Sequence, residues 1–158
     1  MKLLLHACCG PCSLEPVRIL AEAGHDITIA YLNSNIAPAS EYEHRLKTLL
    51  KWAKSQNIPV IEGPYEPTTW QNAVKLTWDG TQENRADRCR ACYRIRLEEL
   101  ARYAHEHGFE GIGTTLTVSP YQYTDIINEE LERAAAPYEG LSAVFQDFRE
   151  FYPQATIR

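Results

Sequence analysis

Short apolar runs alternate along this chain with longer segments of helical periodicity. The first run, Leu3-Leu4-Leu5, has the length of a strand, and "CCGPCS" after it supplies a turn. Ser13 is placed to cap a helix running through "LEPVRILAEAG", with Gly24 as its stop. "DITIAYL" predicts a second strand, rich in β-branched and aromatic residues, and "NSNIAP" a loop. A long helix then opens at Ser40, where Leu46, Leu49, Leu50 and Ala53 recur at helical spacing. "IPVIEG" reads as a third strand. The polar, aromatic stretch from Pro64 to Arg88 holds one short helical segment around "TWQNAVKLTW". "CRACYRIRLEELARYAHEHG" predicts a helix burying Leu97, Leu100, Tyr103 and Ala104 and stopped by Gly108. "FEGIGTTL" follows as a fourth strand, "TVSPYQ" as a loop, "YTDIINEELERAAA" as a helix and "SAVFQDF" as a last short strand.

Strands alternating with helices imply right-handed βαβ crossovers. The expected fold class is therefore α/β: one domain over 1–158, with a mostly parallel, Rossmann-like sheet flanked by helices. In such sheets ligands collect at the carboxyl ends of the strands, near the point where strand order reverses. The CCGPC turn, the NSNIAP loop and the TTLTVSPYQ loop all follow strands, so they are expected to converge on one edge.

Composition narrows the setting. A length of 158 residues suits a single domain, and no apolar run approaches the ~20 residues of a membrane helix. One lysine and a short apolar stretch at the amino terminus do not make a signal peptide. A cytoplasmic protein without a membrane partner is the expectation. The net charge of −5 argues against general affinity for nucleic acid. Yet Arg85, Arg88, Arg90, Arg94, Arg96 and Arg102 fall within eighteen residues, and a local basic face is what phosphates meet. A solvated helix face is the plainer reading, since Glu98 and Glu99 share the segment.

The five cysteines carry the chemistry: Cys8, Cys9 and Cys12 in the first turn, Cys89 and Cys92 far downstream. An odd number cannot be used up by intrachain disulfides, and two tight clusters do not look like unrelated core residues. Clustered thiols in a reducing compartment bind metal or do redox chemistry. An iron–sulfur cluster accepts irregular spacing and fits best. Zinc comes second, because adjacent cysteines suit a structural zinc site poorly. A CxxC dithiol at a helix start comes third. Spacing alone leaves all three open.

Four blocks, "LLHACCGPCS", "LNSNIAPASEYEHR", "RCRACYRIRL" and "GTTLTVSPYQ", continued by "DFRE", span Leu4 to Glu150. With them the chain resembles the cobalamin-independent epoxyqueuosine reductases, the QueH family. The resemblance implies a nucleotide alpha-hydrolase-like fold carrying a [4Fe-4S] cluster and an additional iron ion. It also implies an oxidoreductase that turns epoxyqueuosine into queuosine at the tRNA wobble position, the last step of queuosine synthesis, using an external electron donor. Carried over position by position, Cys8, Cys9, Cys89 and Cys92 match the family's metal-binding cysteines. Cys12 stands where relatives have aspartate and is the candidate ligand of the extra iron, with a catalytic role. The partner so implied is tRNA carrying epoxyqueuosine in its anticodon loop. One departure concerns the family's tail with a further cysteine pair beyond DFR: here the sequence reads "FYPQATIR".

The blocks also nominate residues around the substrate. Asn33, Asn35 and Gln122 are amides suited to the modified base or its cyclopentane-diol. Glu41, Tyr42 and Tyr121 are candidate proton donors or orienting groups, and Arg45 and Ser119 complete the two substrate-facing blocks. Arg90, beside Cys89, is expected to meet an RNA phosphate, with Arg88 and Arg94 from the same window. Each has an ordinary reading too: loop amides cap helices, and Glu41 is a first-turn acid. His6 is expected to pack behind the site, while Trp70 and Trp78 either stack on bases or fill the interior. Three rivals stand beside the reductase. A PP-loop tRNA thiolase needs a glycine- and serine-rich phosphate loop, whereas "CCGPCS" has only Gly10. The others are a zinc-binding RNA adaptor and a CxxC thiol–disulfide oxidoreductase.

Overall fold

The computed structural model describes residues 1–8, 10–36, 38–75, 85–119 and 122–151, without the side chains of residues 10–12, 73, 74, 85, 87 and 151. Strands β1 (Lys2–His6), β2 (Asp26–Tyr31), β3 (Val60–Glu62), β4 (Gly111–Thr114) and β5 (Ser142–Ala143) form one sheet of order β3-β2-β1-β4-β5. Every pairing in it is parallel. The helices are α1 (Gly10–Glu22), α2 (Ala39–Ser55), α3 (Pro67–Lys75), α4 (Arg85–Glu106) and α5 (Thr124–Ala135).

The leucine run of β1 is continuous because both faces of the strand are covered. Leu3, Leu5 and Ala7 join Val17 and Leu20 of α1 and Leu46 and Leu49 of α2 in one core. Leu4 joins Leu97 and Leu100 of α4 and Ile127 and Leu131 of α5 in the other. The chain runs outward from β1 to β3, then returns through α3 and α4 to place β4 on the free side of β1. The reversal of strand order therefore falls between the carboxyl ends of β1 and β4. No described helix is long and apolar enough to cross a membrane.

Some element bounds depart from expectation. α1 opens at Gly10 rather than after Ser13, so Cys12 lies in its first turn, where Pro11 needs no N–H partner. α4 opens at Arg85, a full turn before Cys89, because nothing in "RADR" opposes helix. The CxxC is thus in the helix body, not at its start. Of the expected last strand only Ser142–Ala143 forms, extended by a Val144 N–H bond of 2.8 Å to the Ile112 carbonyl. Gly24 and Gly108 end their helices at φ +96° and +74°, as their placement predicts. Gly108→Ala is expected to cost about 1 kcal/mol, read as a lower urea midpoint, because alanine resists that φ.

Candidate functional site at the strand-order reversal

Beneath the first cysteine turn lies a buried polar knot. His6, fully buried at the end of β1, contacts Thr114 Oγ1 through Nδ1 at 3.1 Å. Its Nε2 faces Asn33 Oδ1 at 3.1 Å and the Leu32 carbonyl at 3.4 Å. Two acceptors at Nε2 assign the proton there, so Nδ1 accepts from the Thr114 hydroxyl, which in turn accepts the Leu116 N–H at 3.1 Å. Burial, with the nearby Arg96 charge, lowers the His6 pKa to about 3, which keeps the ring neutral. Asn33 Nδ2 donates to the Ala7 carbonyl at 2.9 Å, and Arg96 Nη1 donates to Asn33 Oδ1 at 3.5 Å. The knot fastens the ends of β1, β2 and β4 to α4. His6→Ala takes the imidazole N–H from Asn33 Oδ1 and leaves the buried Thr114 hydroxyl without its acceptor; the expected loss is on the order of 2–3 kcal/mol, measurable by urea unfolding.

Cys8, two residues past His6, is half-buried; Cys89 is half-buried and Cys92 only 9% exposed. Trp70 of α3 donates its indole N–H to Cys92 Sγ at 3.0 Å, and the Arg88 guanidinium lies 5.7 Å from the centre of the Trp70 ring. Neither contact was legible from residue spacing. Tyr93, next to Cys92, donates its hydroxyl to Gln122 Oε1 and accepts the Tyr123 N–H at 3.3 Å. Burial pushes the Tyr93 phenol up to about 12. Gln122 thereby ties the loop after β4 to the CxxC helix. The "DFRE" block docks on the same loop: Thr117 donates to the Gln146 carbonyl at 2.6 Å, and Phe148 is buried.

The other nominated residues divide. Asn33 is committed to the knot. Asn35 is half-buried, and its Oδ1 is buried with no hydrogen-bond partner among the described residues. Glu41 and Arg45 form an i,i+4 ion pair of 2.7 Å. The Arg45 hydrogen bond holds the Glu41 carboxyl below its ordinary value despite some desolvation, so Glu41 is an anion near neutrality and a poor acid. Tyr42 is buried, stacks on Tyr65 with centroids 4.0 Å apart and donates to Glu62 at 3.3 Å. Burial raises its pKa, so it too holds its proton firmly. Ser119 closes a turn, its carbonyl accepting the Gln122 N–H at 3.3 Å. Cys9, Tyr121 and Trp78 lie outside the described residues, as do the side chains of Cys12 and Arg85.

The arginine window is also divided. Arg90 bonds Glu129 at 2.7 Å and Glu130 at 3.0 Å, and Arg94 grips Glu130 through two bonds of 2.9 and 3.0 Å. Arg102 pairs with Glu106 at 3.5 Å. Arg96 is buried at 5% exposure. The expected basic face is therefore largely spent on α5 and the interior.

Among the described residues no three histidine, cysteine or acidic side chains lie close enough to hold a metal ion. Cys9 and the Cys12 thiol, both in the expected ligand set, stand outside that comparison.

The family model described as "Epoxyqueuosine reductase QueH" matches residues 3–157. A protein of that name from Haemophilus influenzae is 37% identical over 141 residues, covering 89% of this chain and 56% of its own length. The one from Histophilus somni is 36% identical, covering 93% of this chain and 59% of the relative. The one from Dehalococcoides mccartyi is 31% identical, covering 96% and 79%. The chain thus spans less than two thirds of the first two relatives. Because the match runs through every cysteine block and both strand ends that frame the reversal, this chain belongs to the epoxyqueuosine reductase QueH family.

Proposed function

We propose that this chain reduces epoxyqueuosine in the anticodon loop of tRNA to queuosine. The observation that carries the reading is that, in a chain of this family, the helix with the CxxC is tied through Tyr93–Gln122 and Arg96–Asn33 to the strand-order reversal, where the cysteine turn after β1 also lies. The donor chemistry fits an anionic iron–sulfur centre. Cys92 Sγ accepts an N–H, and a buried guanidinium, Arg96, has no carboxylate partner among the described residues. A thioredoxin-like dithiol fits less well, because Cys89 lies a turn inside α4, away from the unpaired N–H groups that acidify such thiols.

Cys8, Cys9, Cys89 and Cys92 would hold the [4Fe-4S] cluster and Cys12 the additional iron. Bound, these groups supply the electrons and a Lewis acid for the C–O bond. The net reaction takes two electrons and two protons, converts the epoxide to an alkene and releases water. The chain's own part is orientation and proton supply. Asn35 Oδ1 offers the modified base or its diol an unused acceptor. Glu41, held as the anion by Arg45, accepts a hydrogen bond rather than giving a proton, which leaves Tyr121 as the acid to test. A wobble base in a single-stranded loop reaches such a site at little cost.

The test is turnover of epoxyqueuosine-containing tRNA by anaerobically purified protein with a one-electron donor, scored by nucleoside analysis. Queuosine is expected. A colourless, zinc-loaded protein that binds the tRNA unchanged would restore the adaptor reading. For RNA contact the ion pairs change one expectation. Arg90→Ala and Arg94→Ala should shift the salt dependence of tRNA binding by less than the ~1 unit of slope that a phosphate contact contributes, since Glu129 and Glu130 already neutralise both side chains.

A further inference from the structure

Arg96 is set apart from the other ion-paired arginines. Arg18, Arg45, Arg90, Arg94, Arg102 and Arg149 each reach a carboxylate within 3.5 Å. Arg96, at 5% exposure, has one long bond to the Asn33 amide oxygen, and its Nε is buried without a partner. An unpaired guanidinium in the interior costs several kcal/mol, so a fold that keeps one there offers it to an anion. The helix says where that anion sits. Cys89, Cys92 and Arg96 occupy positions i, i+3 and i+7 of α4, which share one face, and helical side chains lean toward the amino end. Arg96 therefore stands one turn behind Cys92 and leans toward it. Asn33 and His6 fix its other side at the ends of β2 and β1, two residues short of Cys8. On the opposite element, Trp70 already donates its N–H to Cys92 Sγ.

We infer that Arg96 and Trp70 are a donor pair for the sulfur centre, the one a buried counter-charge and the other a hydrogen bond, that together raise its reduction potential. The inference rests on the iron–sulfur reading above. A cluster held by thiolates is a net anion and gains a further negative charge when it accepts an electron. A fixed cation and an N–H···S bond both favour the more negative state, and such surroundings are how a protein sets a cluster's potential. Both residues act through the cluster rather than on the substrate, so they are positioning residues for the electron.

The experiment is a potentiometric titration, followed by visible absorption and paramagnetic resonance, of anaerobically purified wild type, Arg96→Met, Arg96→Lys and Trp70→Phe, with iron and sulfide counted in each. Arg96→Met should lower the midpoint by at least the 59 mV that a tenfold change in a one-electron equilibrium represents. Trp70→Phe should lower it by less, and Arg96→Lys should stay nearer wild type than Arg96→Met. If Arg96→Met does not fold, Arg96→Lys and Trp70→Phe still decide, since both predict a downward shift. An unchanged midpoint in cluster-replete variants overturns the inference and leaves the cluster reading standing. A weaker affinity for tRNA at unchanged midpoint also overturns it, by making Arg96 a substrate contact. Wild type with no iron or sulfide sinks the cluster reading itself, a result separable from the other two.

Discussion

Cys92→Ala is expected to abolish the broad visible absorption of the anaerobically purified protein together with its reductase activity. Cys92 is the most enclosed of the described thiols, and its sulfur already has a directed N–H donor, neither of which an alanine methyl can use to hold an iron. Cys89→Ala should behave alike, because a cubane cluster short of one thiolate ligand is no longer retained. Cys12→Ala should differ: cluster absorption persists, the extra iron is lost, and most activity goes with it. Cys12→Asp should recover part of that activity, because carboxylate also ligates iron. Iron and sulfide analysis beside the spectra reads all four variants. Full iron and sulfide content in Cys92→Ala would remove that residue from the ligand set.

A second large effect lies away from the cysteines, at Glu130. Its side chain is 1% exposed and bridges Arg90 and Arg94, joining α5 to α4, the helix that carries the CxxC. Removing one partner of a buried pair costs about 3–5 kcal/mol; because both arginines are about a third exposed here, Glu130→Ala is expected to cost nearer ~2–3. The pair also titrates. Burial alone raises the Glu130 pKa, but the hydrogen bonds and charges of Arg94 and Arg90 outweigh it, so the folded value lies below the ordinary 4.5. Glu129, on the same helix, competes for Arg90, and Glu98 adds a second negative charge near Arg94. A depressed carboxyl favours the folded state fully above pH 4.5. That contribution is lost as pH falls through the folded value, since the unfolded chain takes up its proton first. Urea midpoints measured from neutral to acid pH should therefore drop more steeply in wild type than in Glu130→Gln. Parallel curves would assign the acid lability to other carboxylates.

The architecture was largely legible because burial on two faces leaves a local trace. A continuous leucine run after Met1-Lys2, β-branched residues in "DITIAYL" and the helical spacing of Leu46, Leu49 and Ala53 in α2 each record which side of an element meets the core, whereas Leu50 of the same spacing is exposed. Alternation of the two periods then implies a parallel sheet, and loops after its strands share an edge by chain direction alone. Helix starts were less legible, since "GPC" and "RADR" are compatible with both turn and helix, and packing across the sheet decides. The cysteine blocks, too, stand out in the sequence, because thiols are rare and their clustering needs no partner to be noticed.

What the tertiary structure alone decided is how the polar residues pair. His6 meets Thr114 across 108 residues, Arg90 meets Glu129 across 39, and Trp70 meets Cys92 across 22, each joining different elements of the chain. Periodicity states that a side chain is inward, not what stands opposite it, because that depends on how strands stack in register and how helices cross them. For the same reason Asn33 and Arg90, which as isolated residue types suit a substrate, are committed to scaffold contacts in the fold. Arg96 looked like one more member of a basic window. Only packing, which gave six other arginines their carboxylates and left this one buried with an amide oxygen, marks it as a charge kept for an anion.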